Sequence, residues 1–129
     1  MPLIRIDALA GRTPEQVKQL LDAAHRAMLS AFKVPEHDRY QVYQEHPAGH
    51  FIVEDTGLGI PRTNQVLVVT VISRPRTQEA KQAFYAELCR ELKESCGVEA
   101  SDVMVSIVTN TDADWSFGNG RAQFLTGEL

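Results

Sequence analysis

The sequence predicts an α/β (α+β) fold in which two tandem β-α-β units form a four-stranded mixed sheet with two helices on one face. Three observations support this prediction. Strand-like and helix-like patterns occur in the order strand–helix–strand twice, within residues 2–46 and 65–109. A stretch rich in glycine and proline separates the two units, and identical residues recur across them at an offset of 64. We expect residues 1–129 to form a single domain.

Composition excludes several classes of protein. The 129 residues include 43% hydrophobic residues, and 13 basic against 17 acidic side chains give a net charge of -4. These values are typical of a globular chain and do not fit a disordered one. A chain with this acidic excess lacks the basic patch that nucleic acids or anionic membranes require. No apolar run could cross a bilayer, and residues 1–7 lack the apolar core of a signal peptide. We therefore expect a cytoplasmic protein without nucleic-acid or membrane partners.

The first unit is predicted from local patterns. Residues 3–8 alternate apolar and polar side chains, which is typical of a strand. Thr13 and Gln16 have the spacing of a capping box, and apolar residues follow at helical intervals. Pro35 should end this helix, since proline cannot continue it. Residues 39–45 alternate again and form the second predicted strand.

Turn-forming residues fill the segment 46–64 between the units. We expect one short extra strand there, at residues 51–53. The triplet Gly57-Leu58-Gly59 is predicted to be a connecting loop. It is not a phosphate-binding loop, because no Lys-Ser or Lys-Thr pair follows it.

The second unit follows the same pattern. Residues 66–72 are mostly β-branched and apolar, which is typical of a strand buried on both faces. Thr77 should cap a second helix, and Gly97 should end it. Residues 103–108 form the last predicted main strand.

The repeat predicts how the units assemble. The residues that are identical at the offset of 64 include the two capping threonines, and are Arg12/Arg76, Thr13/Thr77, Glu15/Glu79, Arg26/Arg90, Val34/Val98 and Asp38/Asp102. Each unit should have parallel strands and a right-handed crossover. Two helices cover only one face of four strands, so we expect the other face to be buried against another subunit.

The cysteines and two of the histidines carry no predicted site. Cys89 and Cys96 lie seven residues apart on a predicted helix, about 10 Å along its axis. That separation is too large for a disulfide, so we expect both to be reduced. His46 and His50 have a spacing that could bridge a metal on a helix. A proline and a glycine lie between them, so we predict no metal site there.

The first candidate for chemistry is Pro2. Removal of Met1, which is usual before a small residue such as proline, would leave a secondary amine at the start of a strand. An α-amine titrates near pH ~8 and can act as acid, base or iminium-forming nucleophile. The alternative is that Met-Pro is an ordinary chain start without a catalytic role.

The second candidate is Arg74-Pro75-Arg76. Pro75 keeps Arg74 extended, so the two arginine side chains should project to the same side of the chain. Each guanidinium can bind a carboxylate through two hydrogen bonds. A helix N-terminus follows directly and also favours anions. The alternative is a solvated charged turn.

Topology relates these two candidates. If the units pack antiparallel, the end that carries Arg74 and Arg76 lies near Pro2, and Asp38 opens its strand beside Pro2. An amine, a carboxylate and two guanidiniums could then share a pocket suited to a small oxo-acid. The alternative for Asp38 is a structural loop carboxylate, and its repeat partner Asp102 supports that interpretation.

Several motifs resemble one family along essentially the whole chain. They are Met-Pro-Leu at residues 1–3, Asp38-Arg39-Tyr40, Glu54-Asp55-Thr56-Gly57, Ile72-Ser73-Arg74-Pro75-Arg76 and the segment from Asp112 to Gly118. The chain resembles the tautomerase superfamily, and within it the malonate semialdehyde decarboxylase branch. The resemblance implies a tautomerase-like fold, a homotrimer and no metal or organic cofactor. The catalytic residues that it implies are Pro2, Asp38, Arg74 and Arg76. The substrate-binding residues that it implies are the two arginines and an apolar wall of Trp115, Phe117, Phe124 and Leu129.

The resemblance also implies an activity, the conversion of 3-oxopropanoate to acetaldehyde and carbon dioxide. Arg74 and Arg76 would bind the carboxylate, and Pro2 would act as general acid or form an iminium. Asp38 would orient Pro2 or a water molecule. His25 is a second-rank candidate, with a core or surface role as the alternative.

Other functions remain open at this point. A keto–enol tautomerase of the same superfamily would use Pro2 as a base, and a haloacrylate or 2-oxo-3-pentynoate hydratase would activate water. A different class is a non-catalytic trimer that binds small carboxylates or partner proteins.

Overall fold

The computed structural model describes residues 2–129, so the expected removal of Met1 concerns a residue outside the described range. The main elements are the strands β1 (Leu3–Leu9), β2 (Tyr40–His46), β3 (Leu67–Ser73) and β4 (Val103–Thr109) and the helices α1 (Pro14–Phe32), α2 (Gln78–Cys96) and α3 (Gln123–Thr126). Single 3₁₀ turns lie at Ala100–Asp102 and Asp112–Asp114. Within residues 2–129, no helix is both long and apolar enough to span a bilayer.

The four strands form one sheet in the order β2-β1-β3-β4. Strand β1 runs parallel to β2, and β3 runs parallel to β4, while the central pair β1 and β3 is antiparallel. The sheet is therefore mixed, and its two β-α-β units are joined side by side through the antiparallel pair β1 and β3. The predicted fold class is confirmed.

Local signals begin and end both long helices. Thr13 accepts a hydrogen bond from the Gln16 backbone amide (3.1 Å), and the Gln16 side chain accepts one from the Thr13 amide (2.9 Å), which completes the predicted capping box. Thr77 caps α2 in the same way. Helix α1 ends at a left-handed Lys33 (φ 55°), two residues before Pro35. Gly97 ends α2 with φ 69°, a conformation that glycine adopts without strain.

The hydrophobic core lies between the helices and one face of the sheet. Alternate residues of the central strands point into it, and large side chains of both helices fill it; fully buried examples are Ile6, Val69, Met28, Phe84 and Leu88. Burial of each large apolar side chain contributes about 1.5–3 kcal/mol. The opposite face of the sheet is only partly covered and exposes Val42, Met104 and Val108.

The predicted extra strand at residues 51–53 is wrong, since no strand is assigned there. A turn closed by the His50 amide and the Pro47 carbonyl precedes this segment (3.0 Å). Phe51 then stacks on the ring of His46, with 5.3 Å between centroids, and Ile52 is 80% exposed. The segment has β-forming residues but pairs with none of the four strands.

The two units correspond closely in the structure. β1 and β3 begin 64 residues apart, and so do α1 and α2, whereas β2 and β4 begin 63 residues apart. Asp38 therefore lies two residues before its strand and Asp102 lies one residue before its own. Cys89 and Cys96 are free thiols, and burial raises the pKa of each.

Candidate active site

The centre of one sheet end carries Pro2. Leu3 pairs with Tyr40 of β2 on one side and with Ile72 of β3 on the other. Pro2 precedes this pairing and is buried. The register therefore places Pro2 between the segment that leads into β2 and the segment that leaves β3. These are the segments that contain Asp38 and the two arginines, so the structure brings the three segments to one end of the sheet.

Arg76 is held in place by the protein itself. Its Nε donates to the Ser73 hydroxyl (3.1 Å), and its Nη1 donates to the Phe32 carbonyl at the end of α1 (3.2 Å). Burial and the neighbouring charge of Arg74 lower the pKa of Arg76, while the carboxylate of Asp38 opposes this effect. Because its positive charge is partly buried beside another cation, Arg76 should attract an incoming carboxylate.

Arg74 shares the same edge but has different partners. Its Nη1 donates to Asp112 Oδ1 (3.0 Å), and its guanidinium lies 3.8 Å from the centre of the Phe124 ring. The Nε of Arg74 is buried and has no hydrogen-bond partner among residues 2–129. The sequence predicts two arginines projecting together, but it does not reveal that a carboxylate already balances one of them.

Asp38 is a buried carboxylate with an unsatisfied hydrogen-bond acceptor. It is 8% exposed, and its Oδ2 has no hydrogen-bond partner within the described chain. Burial raises the pKa of Asp38, although the charges of Arg76, His37 and His25 act in the opposite direction. His25 is also buried, and its Nε2 lies 2.7 Å from the Glu36 carbonyl oxygen. This backbone contact favours a structural role for His25.

Aromatic side chains form a continuous cluster beside these charges. Phe117 lies at its centre, stacked on Tyr40 (5.6 Å between centroids) and on Trp115 (5.4 Å). Phe124 meets Phe117 edge to face at 5.4 Å. Three of these four residues belong to the predicted wall. Tyr40 was missed as a site residue, although its position at the start of β2 marks the same end of the sheet.

A cavity of about 350 Å³ opens in this region. The predicted site residues that line it are Asp38, Phe117 and Leu129, and the lining residues that were not predicted are Pro35, His37, Tyr40, Gln123 and Glu128. Pro2, Arg74, Arg76, Trp115 and Phe124 are not in its lining. The C-terminal segment lacks a regular hydrophobic period, so no sequence pattern indicates Gln123 or Glu128.

The buried carboxylate of Asp38 should make the stability of the folded protein depend on pH. Its folded pKa lies above the ordinary value of 3.8, so the folded state disfavours the ionised form. The resulting loss of stability begins as the pH rises above about 3.8 and is complete above the raised pKa. In a chain that retains Met1, so that Pro2 carries no ammonium beside Asp38, we expect Asp38→Asn to stabilise the protein at pH 7 and to have less effect near pH 3.5. Urea unfolding at both pH values measures this difference.

Asp22 provides a control of opposite sign. Hydrogen bonds from Lys18 and Arg39 lower its pKa to about 2. Its contribution is therefore present above the ordinary pKa and lost as the pH falls through about 2. Asp22→Asn should destabilise the protein at pH 7. A loss of stability for both variants at pH 7 would contradict the buried, weakly compensated charge of Asp38.

Comparisons with known proteins decide the family. A family model described as "Tautomerase enzyme" matches residues 38–118, and a second with the same description matches residues 2–60. The chain belongs to the tautomerase family. Its two β-α-β units and its mixed sheet are those of its solved relatives.

Three proteins are similar to this chain over nearly its whole length. "Probable tautomerase YrdN" from Bacillus subtilis (strain 168) is 52% identical over 129 residues, which is 100% of both chains. A solved malonate semialdehyde decarboxylase, described with decarboxylase and hydratase activities, is 54% identical, with a TM-score of 0.97 and 98% of each chain covered. FG41 malonate semialdehyde decarboxylase inhibited by 3-bromopropiolate is 41% identical, with a TM-score of 0.94 and 98% and 97% coverage.

A more distant relative is informative about assembly. A fused 4-OT, described as a wild-type symmetric trimer, is 25% identical to this chain. Its TM-score is 0.78, and the match covers 97% of this chain and 98% of the other.

Proposed function

We propose that this tautomerase-family enzyme is a cofactor-independent decarboxylase that converts 3-oxopropanoate to acetaldehyde and carbon dioxide. The observation that carries the proposal is the convergence of Pro2, Asp38, Arg74 and Arg76 at one end of the sheet beside an aromatic cluster. The identity of 54% to a malonate semialdehyde decarboxylase supports the same substrate.

The arginines supply substrate binding in this proposal. Arg76 is held by Ser73 and by the end of α1, so its orientation is set before substrate binds. A carboxylate beside it would balance a charge that burial and Arg74 now destabilise. Arg74, paired with Asp112, would shape the other side of the anion site. Two guanidiniums can also fix the plane of the carboxylate, which sets the breaking bond relative to the aldehyde.

Pro2 supplies the electron sink, provided that its nitrogen is a free amine. As an ammonium it donates a proton to the aldehyde oxygen, or as an amine it condenses with the aldehyde and releases water. The electrons of the breaking C–C bond then flow into the protonated carbonyl or the iminium, and carbon dioxide leaves. Protonation of the resulting enol or enamine at carbon, with hydrolysis in the second case, gives acetaldehyde.

Asp38 and the aromatic cluster set the environment of this step. The unpartnered Oδ2 of Asp38 offers an acceptor for the Pro2 ammonium, since the register places both residues at the same edge. That contact would raise the pKa of the amine and favour its role as an acid. Trp115, Phe117 and Phe124 lower the local dielectric and so strengthen the contact of the arginines with the substrate.

The direct test is incubation with 3-oxopropanoate. Acetaldehyde formation is followed through an alcohol dehydrogenase that oxidises NADH, and carbon dioxide release is measured in parallel. We expect stoichiometric release of both products. A folded protein with a free Pro2 amine that releases neither product would contradict the proposal and would favour a non-catalytic carboxylate-binding role.

Keto–enol tautomerisation is a second candidate, favoured by the name of the relative from Bacillus subtilis. It requires Pro2 to be deprotonated and to act as a base, for example on phenylpyruvate enol. Hydration of an unsaturated acid is the related alternative, since the solved decarboxylase is described with hydratase activity. NMR titration of the Pro2 nitrogen discriminates between the chemistries. A pKa well above 7 favours acid chemistry, whereas a value below 7 fits a base or an iminium-forming amine, and those two are separated by their products.

Ser73 is expected to position the arginines. Its side chain is fully buried, accepts from Arg76 Nε and donates to the Arg74 carbonyl (2.8 Å). A hydrogen bond to a charged group contributes about 1.5–3 kcal/mol. Ser73→Ala should therefore lower kcat/KM by about tenfold to about a hundredfold, mainly through KM. Ser73→Thr retains the hydroxyl and should recover part of the loss. Equal kinetics for the alanine variant and the wild type would contradict this role.

We propose that the enzyme is a homotrimer. The partly covered sheet face exposes Val42, Met104 and Val108, and a related fused 4-OT is described as a symmetric trimer. Light scattering after size-exclusion chromatography should give about three times the chain mass of 14.4 kDa. A monomer that decarboxylates 3-oxopropanoate would contradict the trimer and leave the proposed activity intact.

A further inference from the structure

The end of the sheet opposite Pro2 has a second cavity, of about 370 Å³. It lies where β1 ends and the chain enters α1, and its lining includes Arg12, Gln16, Ala48, Asn64 and Gln65. We propose that this cavity is a non-catalytic binding site for a small carboxylate.

The internal repeat relates the cavity to the candidate active site. Arg12 directly precedes the cap of α1, and Arg76 directly precedes the cap of α2, one repeat of 64 residues later. At the positions that the repeat makes equivalent, Val66 of the second unit takes the place of Pro2, and Ala10 of the first unit takes the place of Arg74. The cavity has therefore kept one guanidinium but has no amine that could react.

The carboxylate that corresponds to Asp38 in the second unit, Asp102, is already hydrogen-bonded within the protein. Asp102 is 1% exposed, and its two oxygens accept hydrogen bonds from the backbone amide and the hydroxyl of Thr63. It does not line the cavity. A ligand at Arg12 would thus meet a cation without a counterpart to Asp38 Oδ2, the buried oxygen at the other end of the sheet that has no hydrogen-bond partner among residues 2–129.

The polar groups that line the cavity favour an anion. Arg12 is the charged residue of the lining, and none of the lining residues is acidic. The backbone carbonyl and the side-chain oxygen of Gln65 already accept from Arg12 Nη2 (3.0 and 2.8 Å), and the side-chain oxygen of Gln16 accepts from the Thr13 amide (2.9 Å). The two amide NH₂ groups and the remaining guanidinium N–H groups are left as donors. This donor-rich set, beside the N-terminal end of a 19-residue helix, suits a carboxylate.

The size of the cavity limits the ligand. Its volume is close to that of the cavity beside Asp38, about 350 Å³. We therefore expect a monocarboxylate with a short carbon chain, bound through Arg12 and unchanged by the protein.

NMR titration of ¹⁵N-labelled, full-length protein with sodium propanoate tests the site at constant ionic strength against sodium chloride. We expect saturable shifts of the Gly11 and Gln65 amides, and no such shifts with uncharged propanamide. Arg12→Gln should weaken this binding at least tenfold. Ala48→Phe should also block propanoate binding, because the larger side chain fills the cavity while Arg12 is retained. This variant therefore tests the site even if Arg12→Gln folds poorly.

The outcome is separable from the proposed decarboxylation. Both variants should retain turnover of 3-oxopropanoate, because Arg12 and Ala48 lie at the opposite end of the sheet from Pro2. Absence of saturable shifts, or equal binding by the wild type and both variants, would overturn the site whether or not the enzyme is a decarboxylase.

Discussion

Replacing Arg76 by alanine should lower kcat/KM for 3-oxopropanoate by about 30-fold to several thousand-fold. Truncating one partner of a desolvated ion pair removes about 2–5 kcal/mol, and each 1.36 kcal/mol corresponds to a factor of ten in rate. Arg76 fits this case because burial lowers its pKa and fixed hydrogen bonds orient it. Steady-state kinetics with coupled detection of acetaldehyde measures the effect.

One further variant separates the charge of Arg76 from its shape. Arg76→Lys retains a positive charge but loses the planar fork that binds a carboxylate through two hydrogen bonds. It should therefore recover only part of the activity. Circular dichroism and urea unfolding should show that both variants fold, since loss of the bond to the Phe32 carbonyl affects only the end of α1.

Arg12 provides a matched control within the same chain. It occupies the corresponding place one repeat earlier, but at the opposite end of the sheet. Arg12→Ala should leave decarboxylation unchanged. Equal losses in Arg12→Ala and Arg76→Ala would mean that an arginine before a helix cap matters for folding, and the binding role of Arg76 would then be abandoned.

The fold could be predicted because its signals are local. The capping box of Thr13 and Gln16 lies within four residues, and the alternation of β1 is complete within seven. The repeat also predicts how the two units pair, because two equivalent β-α-β units can share one sheet by placing their first strands side by side. The antiparallel β1–β3 pair at the centre of the sheet is this solution.

The failure at residues 51–53 has a physical cause. Strand propensity reflects how well side chains fit a pleated surface, and it does not supply a hydrogen-bonding partner. Phe51 instead stacks on His46, which itself lies 2.6 Å from a carboxylate oxygen of Asp7. A local side-chain contact therefore sets the position of Phe51, and the backbone that follows joins no strand.

The candidate site could be predicted only in part. Its charged residues were found because they occur at strand ends that the topology brings together. The pairing of Arg74 with Asp112 spans 38 positions and leaves no spacing signal in the sequence. The role of Ser73 was missed for a related reason. It looks like an ordinary strand residue until its contacts with both arginine segments are seen.

Blocking the nitrogen of Pro2 should abolish the proposed decarboxylation. Inserting a lysine between Met1 and Pro2 keeps the initiator methionine, because lysine is too large for its removal, and converts the Pro2 nitrogen to an amide. An amide can neither donate a proton near neutral pH nor form an iminium. Since general acid–base catalysis contributes about 10²- to 10⁴-fold, we expect at least about a hundredfold loss of kcat.

Pro2→Ala is the matched control for the blocked amine, because processing leaves a primary amine at the same position. It should retain partial activity, whereas the extended chain should retain none above background. Reduction with cyanoborohydride during turnover then separates the two mechanisms. An iminium predicts a substrate-derived mass increase on the N-terminal peptide of the unextended enzyme, and acid catalysis predicts no such adduct. Full activity of the extended chain, with Met1 and the lysine verified by mass spectrometry, would remove Pro2 from the chemistry. Catalysis would then depend on the two guanidiniums, which would polarise the oxo-acid without help from Pro2.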